Sequence, residues 1–438
     1  MTTIRPITFR KLINDILIGG CSLTELANAY GTPLYVLDEK TIRQNCQIFT
    51  KILTEHYPNF TIAYASKAGL NIGIANLLAS EGVGADVVSG GELYTVLKSH
   101  IDPTNVYFHG NNKSIQELNL AIEHDIRLVV DNEFEIQLIE SIASQLNKKA
   151  KIMFRIKPGI EAHTHEYIKT GHIDSKFGVN FEESLSLIER IHGSTWGEFI
   201  GIHAHIGSQI FDIDPYRDLV EILADFMDKI NEQLGIHVPE LNCGGGFGVN
   251  YIENHKAPNI SDIILSMANE IKLFCEGKNR PYPKLIFEPG RSIIANAGVT
   301  IYTAGASKAI SDGQQYLFID GGMADNPRPM MYNSEYTFDA ISPTNPNKAT
   351  YTIAGKFCES GDILAKSIRL PIVKPMERIV VYGTGAYNYS MASNYNRFCK
   401  PAMVLVNDAQ ASLLIHRETY EDIIRYDAQW LKNRQLHC

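Results

Sequence analysis

Lys67 stands in Tyr64-Ala65-Ser66-Lys67-Ala68, directly after a short apolar run and among small apolar neighbours. Partial burial there is expected to disfavour the ammonium and free an amine that can condense with a carbonyl. A solvated strand end is the plainer reading of the same lysine. Glu288 lies between Leu285-Ile286-Phe287 and Pro289-Gly290-Arg291. A buried carboxylate needs a partner. Arg291 could serve, and so could the ring nitrogen of an aromatic cofactor, which the carboxylate would make a stronger electron sink. Gly244-Gly245-Gly246 is either a turn or a cradle whose backbone N–H groups approach a phosphate closely. Its spacing matches neither a P-loop nor a dinucleotide fingerprint, so a simple phosphate ester suits it better.

His203-Ala204-His205 could begin a metal site, but the sequence offers no third ligand. Alternate residues of a strand face opposite ways, so one histidine should point into a site and the other away. Packing of a histidine on a cofactor ring is favoured, and no metal is expected. His163-Thr164-His165 reads as a loop, either solvated or part of a lid. Cys358-Glu359-Ser360-Gly361-Asp362 joins a thiol and carboxylates in one turn, where a cysteine is more exposed and reactive than a small core residue.

These groups need a frame. From residue 61 short apolar runs alternate with stretches of helical period, the pattern of a parallel sheet buried on both faces. The expected strands are Thr61–Ser66, Gly84–Val88, Asn105–Phe108, Ile126–Val130, Lys151–Ile156, Phe199–His205, Pro239–Asn242 and Lys284–Phe287. Helices are expected over Ile72–Ser80, Glu92–Ser99, Ile115–His124, Glu133–Leu146, Phe181–Ile191, Tyr216–Leu234 and Ile260–Cys275. This is the count of an α/β fold of the (β/α)8 TIM-barrel kind, with an open doubly wound sheet as the alternative. Lys67, Asp86, His109, Arg155, His205, the glycines and Glu288 then fall at the C-terminal ends of seven strands, on the face where barrels build active sites. After Arg291 the rhythm stops. Ile293–Ala304, Gln315–Ile319, Lys348–Ile353 and Arg378–Val381 read as strands of a second, mostly β domain, with Ser342-Pro343-Thr344-Asn345-Pro346 as a turn cluster. The lone strand Pro33–Leu37 could pair with that domain. The boundaries expected are 40–292 for the barrel, and 1–39 with 293–438 for the β-rich domain.

Composition narrows the function. With 438 residues, 45% hydrophobic and 20% charged, the chain reads as a two-domain globular protein. A net charge of −9 argues against nucleic acid or an anionic membrane as partner. No apolar run approaches the ~18 residues that span a bilayer, and the N-terminal stretch lacks the apolar core of a secretory signal. Seven cysteines without CxxC spacing suit reduced thiols and a cytoplasmic (or plastid-stroma) location.

The residues resemble a known family. YASKA (64–68), GADVVSGGEL (84–93), HGNNKS (109–114), the run from Arg155 to Gly171, SKFG (175–178), HAHIGSQI (203–210), GGGFG (244–248), EPGRS (288–292), RPMMY (328–332), CESGD (358–362) and GAYNYSMASNYN (385–396) are similar to the motifs of the diaminopimelate decarboxylase family. That family lies within the alanine-racemase-like class of pyridoxal-phosphate enzymes, and the motifs occur in its order over nearly the whole chain. The resemblance implies a barrel plus a β domain that takes in the N-terminal strand, and pyridoxal 5′-phosphate held covalently by Lys67. It implies His205 stacked on the ring, Glu288 at the ring nitrogen, and Ser208, Gly244, Gly245, Gly246 and Tyr387 at the phosphate. Asp86, His109, Arg155, Gly290 and Arg291 complete the cofactor's surroundings. Arg155 would orient the phenolic oxygen or only brace the barrel mouth. Arg291, Arg328, Tyr332, Glu359 and Tyr387 would hold an amino-acid substrate, and Cys358 would donate a proton from the partner subunit of a homodimer with shared active sites. Ala204, Gly321 and Met330-Met331 replace the family's more usual Cys, Ala and Ala-Leu, small or apolar changes with no expected effect on the chemistry. The competing readings are a decarboxylase of ornithine, arginine or carboxynorspermidine, a racemase, and a non-catalytic decoy. A decoy has no reason to keep Lys67, Cys358 and Glu359 together.

Overall fold

A computed structural model of the chain describes residues 3–159, 176–309 and 313–428. It divides into two compact units: residues 1–8, 38–298 and 385–390, and residues 9–37, 299–384 and 391–438. No helix among the described residues is long and apolar enough to cross a membrane.

The first unit is built on eight parallel strands: β1 (Phe60–Ala65), β2 (Gly84–Val87), β3 (Val106–Phe108), β4 (Arg127–Val130), β5 (Ala150–Arg155), β6 (Gly197–His203), β7 (Glu240–Asn242) and β8 (Lys284–Phe287). They close in sequence order, β8 pairing with β1 through Phe287 and Ile62. Each expected strand is present within a few residues. Sheet and helices bury most of these positions, which is why the strands read as continuous apolar runs. Ala63, Tyr107, Val129, Met153, Ile200 and Ile286 form a packed cluster drawn from six of the strands. At the strands' N-terminal end Arg127 makes a bidentate contact with Glu240, its Nε 2.9 and 3.0 Å from the two carboxylate oxygens. The Tyr107 hydroxyl donates to the same carboxylate at 3.1 Å, leaving no unpaired charge there.

The expected helices also form, with local reasons legible at their ends. Asn132 caps Glu133–Leu146 by accepting from the Glu135 N–H, and Asn147 ends it at φ +52°. Pro215 sits in the first turn of Asp214–Leu234, and Gly235 closes that helix at φ +69°. Leu219, Val220, Leu223, Phe226, Met227 and Ile230 supply its buried stripe. Glu39–His56 is a further amphipathic helix before β1, beyond those expected.

The second unit carries a sheet in the order Ile363–Ile372, Asn345–Ala354, Gln315–Ile319, Gly298–Ala309, Leu34–Asp38, Ala402–Asn407 and Gln410–Ile415. Leu34–Asp38 is thus a buried inner strand between two strands from the other end of the chain. Arg378–Tyr382 pairs with both Gly298–Ala309 and Phe338–Ala340. Two expectations need correction. Arg291–Ile294 is a helical turn, and the strand begins only at Gly298. The turn cluster at 342–346 gives way to strand from Asn345, because Asn345–Ala354 pairs antiparallel with Ile363–Ile372 across its length.

Candidate active site

Lys67 occupies a 3-10 turn, Ser66–Ala68, that follows β1. Three bonds fix this turn. The Tyr64 hydroxyl donates to the Gly69 carbonyl at 2.8 Å, the Ser390 hydroxyl to the Lys67 carbonyl at 2.9 Å, and the Tyr387 N–H to the Ala68 carbonyl at 2.6 Å. The lysine side chain is accessible to solvent yet ringed by protein, as a group standing in a mouth must be. Burial acts against its charge, but Tyr387, Asp86 and Glu288 together outweigh burial and Arg155, and its pKa ends above the usual lysine range. The expectation of a free amine is corrected here: burial is present, and the surrounding acidic groups outweigh it.

Glu288, at the end of β8, is the hub of the site. Its Oε1 lies 2.7 Å from His109 Nε2 and accepts the Asn242 amide at 2.6 Å, while Oε2 is 3.2 Å from His203 Nε2. Burial raises its pKa, but the two imidazoles and their hydrogen bonds more than reverse this and hold the carboxyl well below the usual range. Asp86 goes the other way. Burial pushes its pKa up, Glu288 adds to the push, and His109, 3.7 Å away, only partly offsets it. Its Oδ1 is buried without a hydrogen-bond partner. One carboxylate is therefore set firmly as an anion and its neighbour is held closer to neutrality.

Both histidines of HAH belong to this mouth, against the expectation that one would point away. The strand ends at His203, so the alternation of side chains stops before His205. Burial drives His203 down to about 3 and His205 well below the usual histidine range, so both rings are neutral. The Gly245 N–H donates to His205 Nδ1 at 3.2 Å, which assigns the ring proton to Nε2 and fixes the ring plane. His109, His203 and Glu288 also bring three donor atoms within 4.8 Å of one another, a set that takes one histidine of the HAH pair and leaves His205 out. The 2.7 Å bond between His109 and Glu288 is what an ion would have to break.

The glycines are required by space. Gly244 and Gly246 have φ of +65° and +96°. A Cβ on Gly245 would stand 2.1 Å from the Glu288 carbonyl, and one on Gly290 would stand 2.9 Å from the Ala65 Cβ. Beside them Arg291 donates to the Tyr251 hydroxyl at 2.7 Å and to the Ser208 hydroxyl at 3.1 Å, and stacks 4.6 Å from the Tyr387 ring. Ser208, Arg291, Tyr387 and the glycine turn thus present hydroxyl, guanidinium and N–H donors together. The Arg155 guanidinium lies 4.4 Å from the Phe177 ring, and its pKa is lowered by burial against the pull of Asp131, Glu288 and Asp86.

Three residues here were not singled out from the sequence. Glu92 accepts the Val88 N–H at 2.8 Å, and burial lifts its pKa to about 7 within the field of Asp86 and Lys67. Asn242 orients Glu288 and also accepts the Gly244 N–H. Lys113 is buried and donates to the Gly110 and Val129 carbonyls and to Glu135, fastening the loop that carries His109. The HGNNKS motif was the available signal for Lys113, since a lysine in a loop between buried strands has little room to reach water.

In the second unit, Arg328 opens the helical turn Arg328–Tyr332 and stacks 4.8 Å from the Tyr332 ring. Cys358 and Glu359 are exposed in the turn before the strand Ile363–Ile372. The His163–His165 segment, with most of the run from Arg155 to Gly171 and Ser175 of SKFG, lies outside the described residues.

Residues 39–295 match the family described as pyridoxal-dependent decarboxylase, pyridoxal binding domain. The chain is 45% identical to diaminopimelate decarboxylase of Synechocystis sp., over 96% of this chain and 92% of that protein. It is 41% identical to diaminopimelate decarboxylase of Bacillus subtilis, over 94% of each. The crystal structure of diaminopimelate decarboxylase from M. jannaschii in co-complex with L-lysine superposes with a TM-score of 0.91 at 34% identity, covering 97% of this chain and 98% of that one. A lysine-bearing barrel mouth with Glu288 at its hub, matched over nearly its whole length by such relatives, identifies the chain as a member of the pyridoxal-dependent decarboxylases of the diaminopimelate decarboxylase family.

Proposed function

We propose that this enzyme converts meso-2,6-diaminopimelate to L-lysine and CO2, using pyridoxal 5′-phosphate bound at Lys67. The observation that carries this reading is the barrel mouth itself. An amine, a firmly ionised carboxylate, a neutral planar histidine and a donor-rich glycine turn converge there, in a chain whose relatives bear that activity's name. The residues fit the cofactor on structural grounds. Asp86 Oδ1, Ser66 Oγ and His203 Nδ1 are buried without a hydrogen-bond partner, and a Cβ on Gly246 would stand 2.5 Å from the Gly207 carbonyl.

When bound, the cofactor supplies an electron sink conjugated with the substrate's α-carbon. Lys67 would hold it covalently, and Glu288, kept anionic by His109 and oriented by Asn242, would keep the ring nitrogen protonated. His205, with its Nδ1 pinned by Gly245, would lie flat against the ring. Ser208, Arg291, Tyr387 and the Gly244–Gly246 turn would neutralise and orient the phosphate. Cys358 would deliver the proton that replaces the lost carboxyl at the α-carbon, with the carboxylate of Glu359 receiving the substrate's distal amine. Arg328 and Arg291 would pair the distal carboxylate. A substrate lacking that group would forgo the charge-assisted hydrogen bonds to these guanidinium groups, at a cost of about 1–3 kcal/mol. We read the active assembly as a homodimer with shared sites, in a reducing, cytoplasmic setting.

CO2 release by the cofactor-loaded protein, offered meso-diaminopimelate, L-ornithine and L-arginine in parallel, tests the reading. Release from meso-diaminopimelate alone, abolished in Lys67→Ala, is expected. Release from ornithine or arginine instead would move the enzyme to a polyamine-type substrate. No release from any of them would favour a decoy.

A further inference from the structure

Asp362 is 3% exposed and takes no direct part in the chemistry above. Its carboxylate bridges two separate segments of the second unit. Oδ1 accepts the Met323 N–H at 2.7 Å, in the loop that leads from Asp320 to Arg328. Oδ2 accepts the Phe357 N–H at 2.9 Å, immediately before Cys358. The backbone adds three further bonds: Gly355 N–H to the Asp362 carbonyl, Lys356 N–H to the Gly321 carbonyl, and Asp362 N–H to the Glu359 carbonyl. Both segments are shaped around the carboxylate. A Cβ on Gly322 would stand 2.5 Å from Oδ1, and one on Gly355 would stand 2.1 Å from Oδ2. A buried anion with a glycine on either side and one N–H from each loop is a staple.

The two loops carry different work under the function proposed above, on which this inference rests. One leads into Arg328, the other presents Cys358 and Glu359. We propose that Asp362 is a positioning residue that sets the arginine arm and the Cys358–Glu359 turn in one fixed register, so that neither can shift without the other. The Cys358 turn has a second support, whose side chain touches only that turn although Ser393, three residues before it, donates its N–H to the Ala324 carbonyl at 2.9 Å. The Cys358 N–H donates to Asn396 Oδ1 at 2.9 Å, and Phe357 packs edge-on against Phe398 at 5.1 Å. Asn396 holds a left-handed backbone (φ +52°) in making this contact. The two side chains differ in reach: the Asp362 carboxylate ties both loops, the Asn396 amide only one, and removing that amide leaves the Ser393–Ala324 backbone bond in place.

That difference is the test. In Asp362→Asn the amide turns an NH2 toward one of the two backbone donors, so one strand of the staple is lost and the other weakened. In the full-length, cofactor-loaded enzyme, amide hydrogen exchange should rise together in the segments containing Met323 and Phe357. The kcat for the preferred amino acid should fall about tenfold or more while KM rises, because both the proton-delivery turn and the carboxylate-binding arm have moved. Asn396→Ala should raise exchange only around Cys358 and lower kcat with KM retained. Should Asp362→Asn fail to fold, Gly322→Ala takes its place, pushing the carboxylate from the other side, with the same paired loss expected. Exchange confined to one segment in the Asp362 or Gly322 variant, or a kcat and KM equal to wild type, would overturn the proposal. Exchange is read from the chain itself, so the outcome stands apart from which amino acid is decarboxylated.

Discussion

At the scale of single residues, the charge on Lys67 has the most direct consequence. Tyr387, then Asp86 and Glu288, favour its ammonium despite burial, while capture of a carbonyl needs the neutral amine. The group's pKa is raised, so the reactive form grows only as pH climbs. Reconstitution of the cofactor-free chain with pyridoxal phosphate, followed by absorbance, should therefore quicken between about pH 7 and pH 9. Asp86→Asn removes one of the groups that raise the lysine's pKa and should make capture faster at neutral pH. A rate flat with pH and indifferent to that substitution would contradict this charge balance.

Lys113 and Glu135 form a pair with almost no exposure, 2.6 Å apart. Removing one partner strands the other. Lys113→Met should cost about 3–5 kcal/mol in urea unfolding, and the double variant with Glu135→Leu should recover much of that loss. If the single and double variants are equally destabilised, the pair is not what fastens the loop. Lys67, Glu288 and the triple glycine were legible in the sequence because each breaks an apolar run with a reactive or turn residue. Glu92, Asn242 and Lys113 were not, because their importance lies in what their side chains reach. Asn242 meets Glu288, and Lys113 meets Glu135, only once separate strands have come together, and Glu92 turns back to Val88 only once its helix has formed.

At the scale of elements, the eight barrel strands could be read from the sequence because two-sided burial leaves them apolar throughout. The second unit was harder. Ile363–Ile372 mixes Lys366, Ser367 and Arg369 into an exposed face, and Gln410–Ile415 is largely open to solvent, so neither shows a clean period. The loop after Gln315–Ile319 also hides a titrating group. Asp325 is buried, accepts the Tyr302 hydroxyl, and is lifted to about 7, chiefly by burial and further by Asp362. An acid whose pKa is raised by folding binds its proton more tightly folded than unfolded. Stability should therefore fall as pH rises from about 4, the unfolded value, to about 7, and level off above it. Asp325→Asn cannot ionise and should lack this decline. Relative to wild type it should gain on the order of 4 kcal/mol between pH 4 and pH 8, less whatever solvent and the neighbouring Lys356 return. Thermal melts of both proteins across that range decide the matter, and parallel curves would show that Asp325 does not titrate there.

At the scale of the whole molecule, the question is whether one chain can complete its own site. Under the function proposed above, Lys67 and the groups that would hold the cofactor lie on the barrel, while Cys358 and Arg328 belong to the second unit. In a homodimer with shared sites, a chain lacking Lys67 and a chain lacking Cys358 are each inactive, but their mixed dimer contains one site with both defects and one with neither. Unfolding and refolding an equal mixture of Lys67→Ala and Cys358→Ala should yield mixed dimers as half the population, each with one intact site. CO2 release should then recover to about a quarter of wild type. If each chain completes its own site, every site in the mixture carries one defect and the activity stays at the level of the parents. The same mixture diluted far enough to separate subunits should lose the recovered activity, since a shared site exists only while the partners are joined.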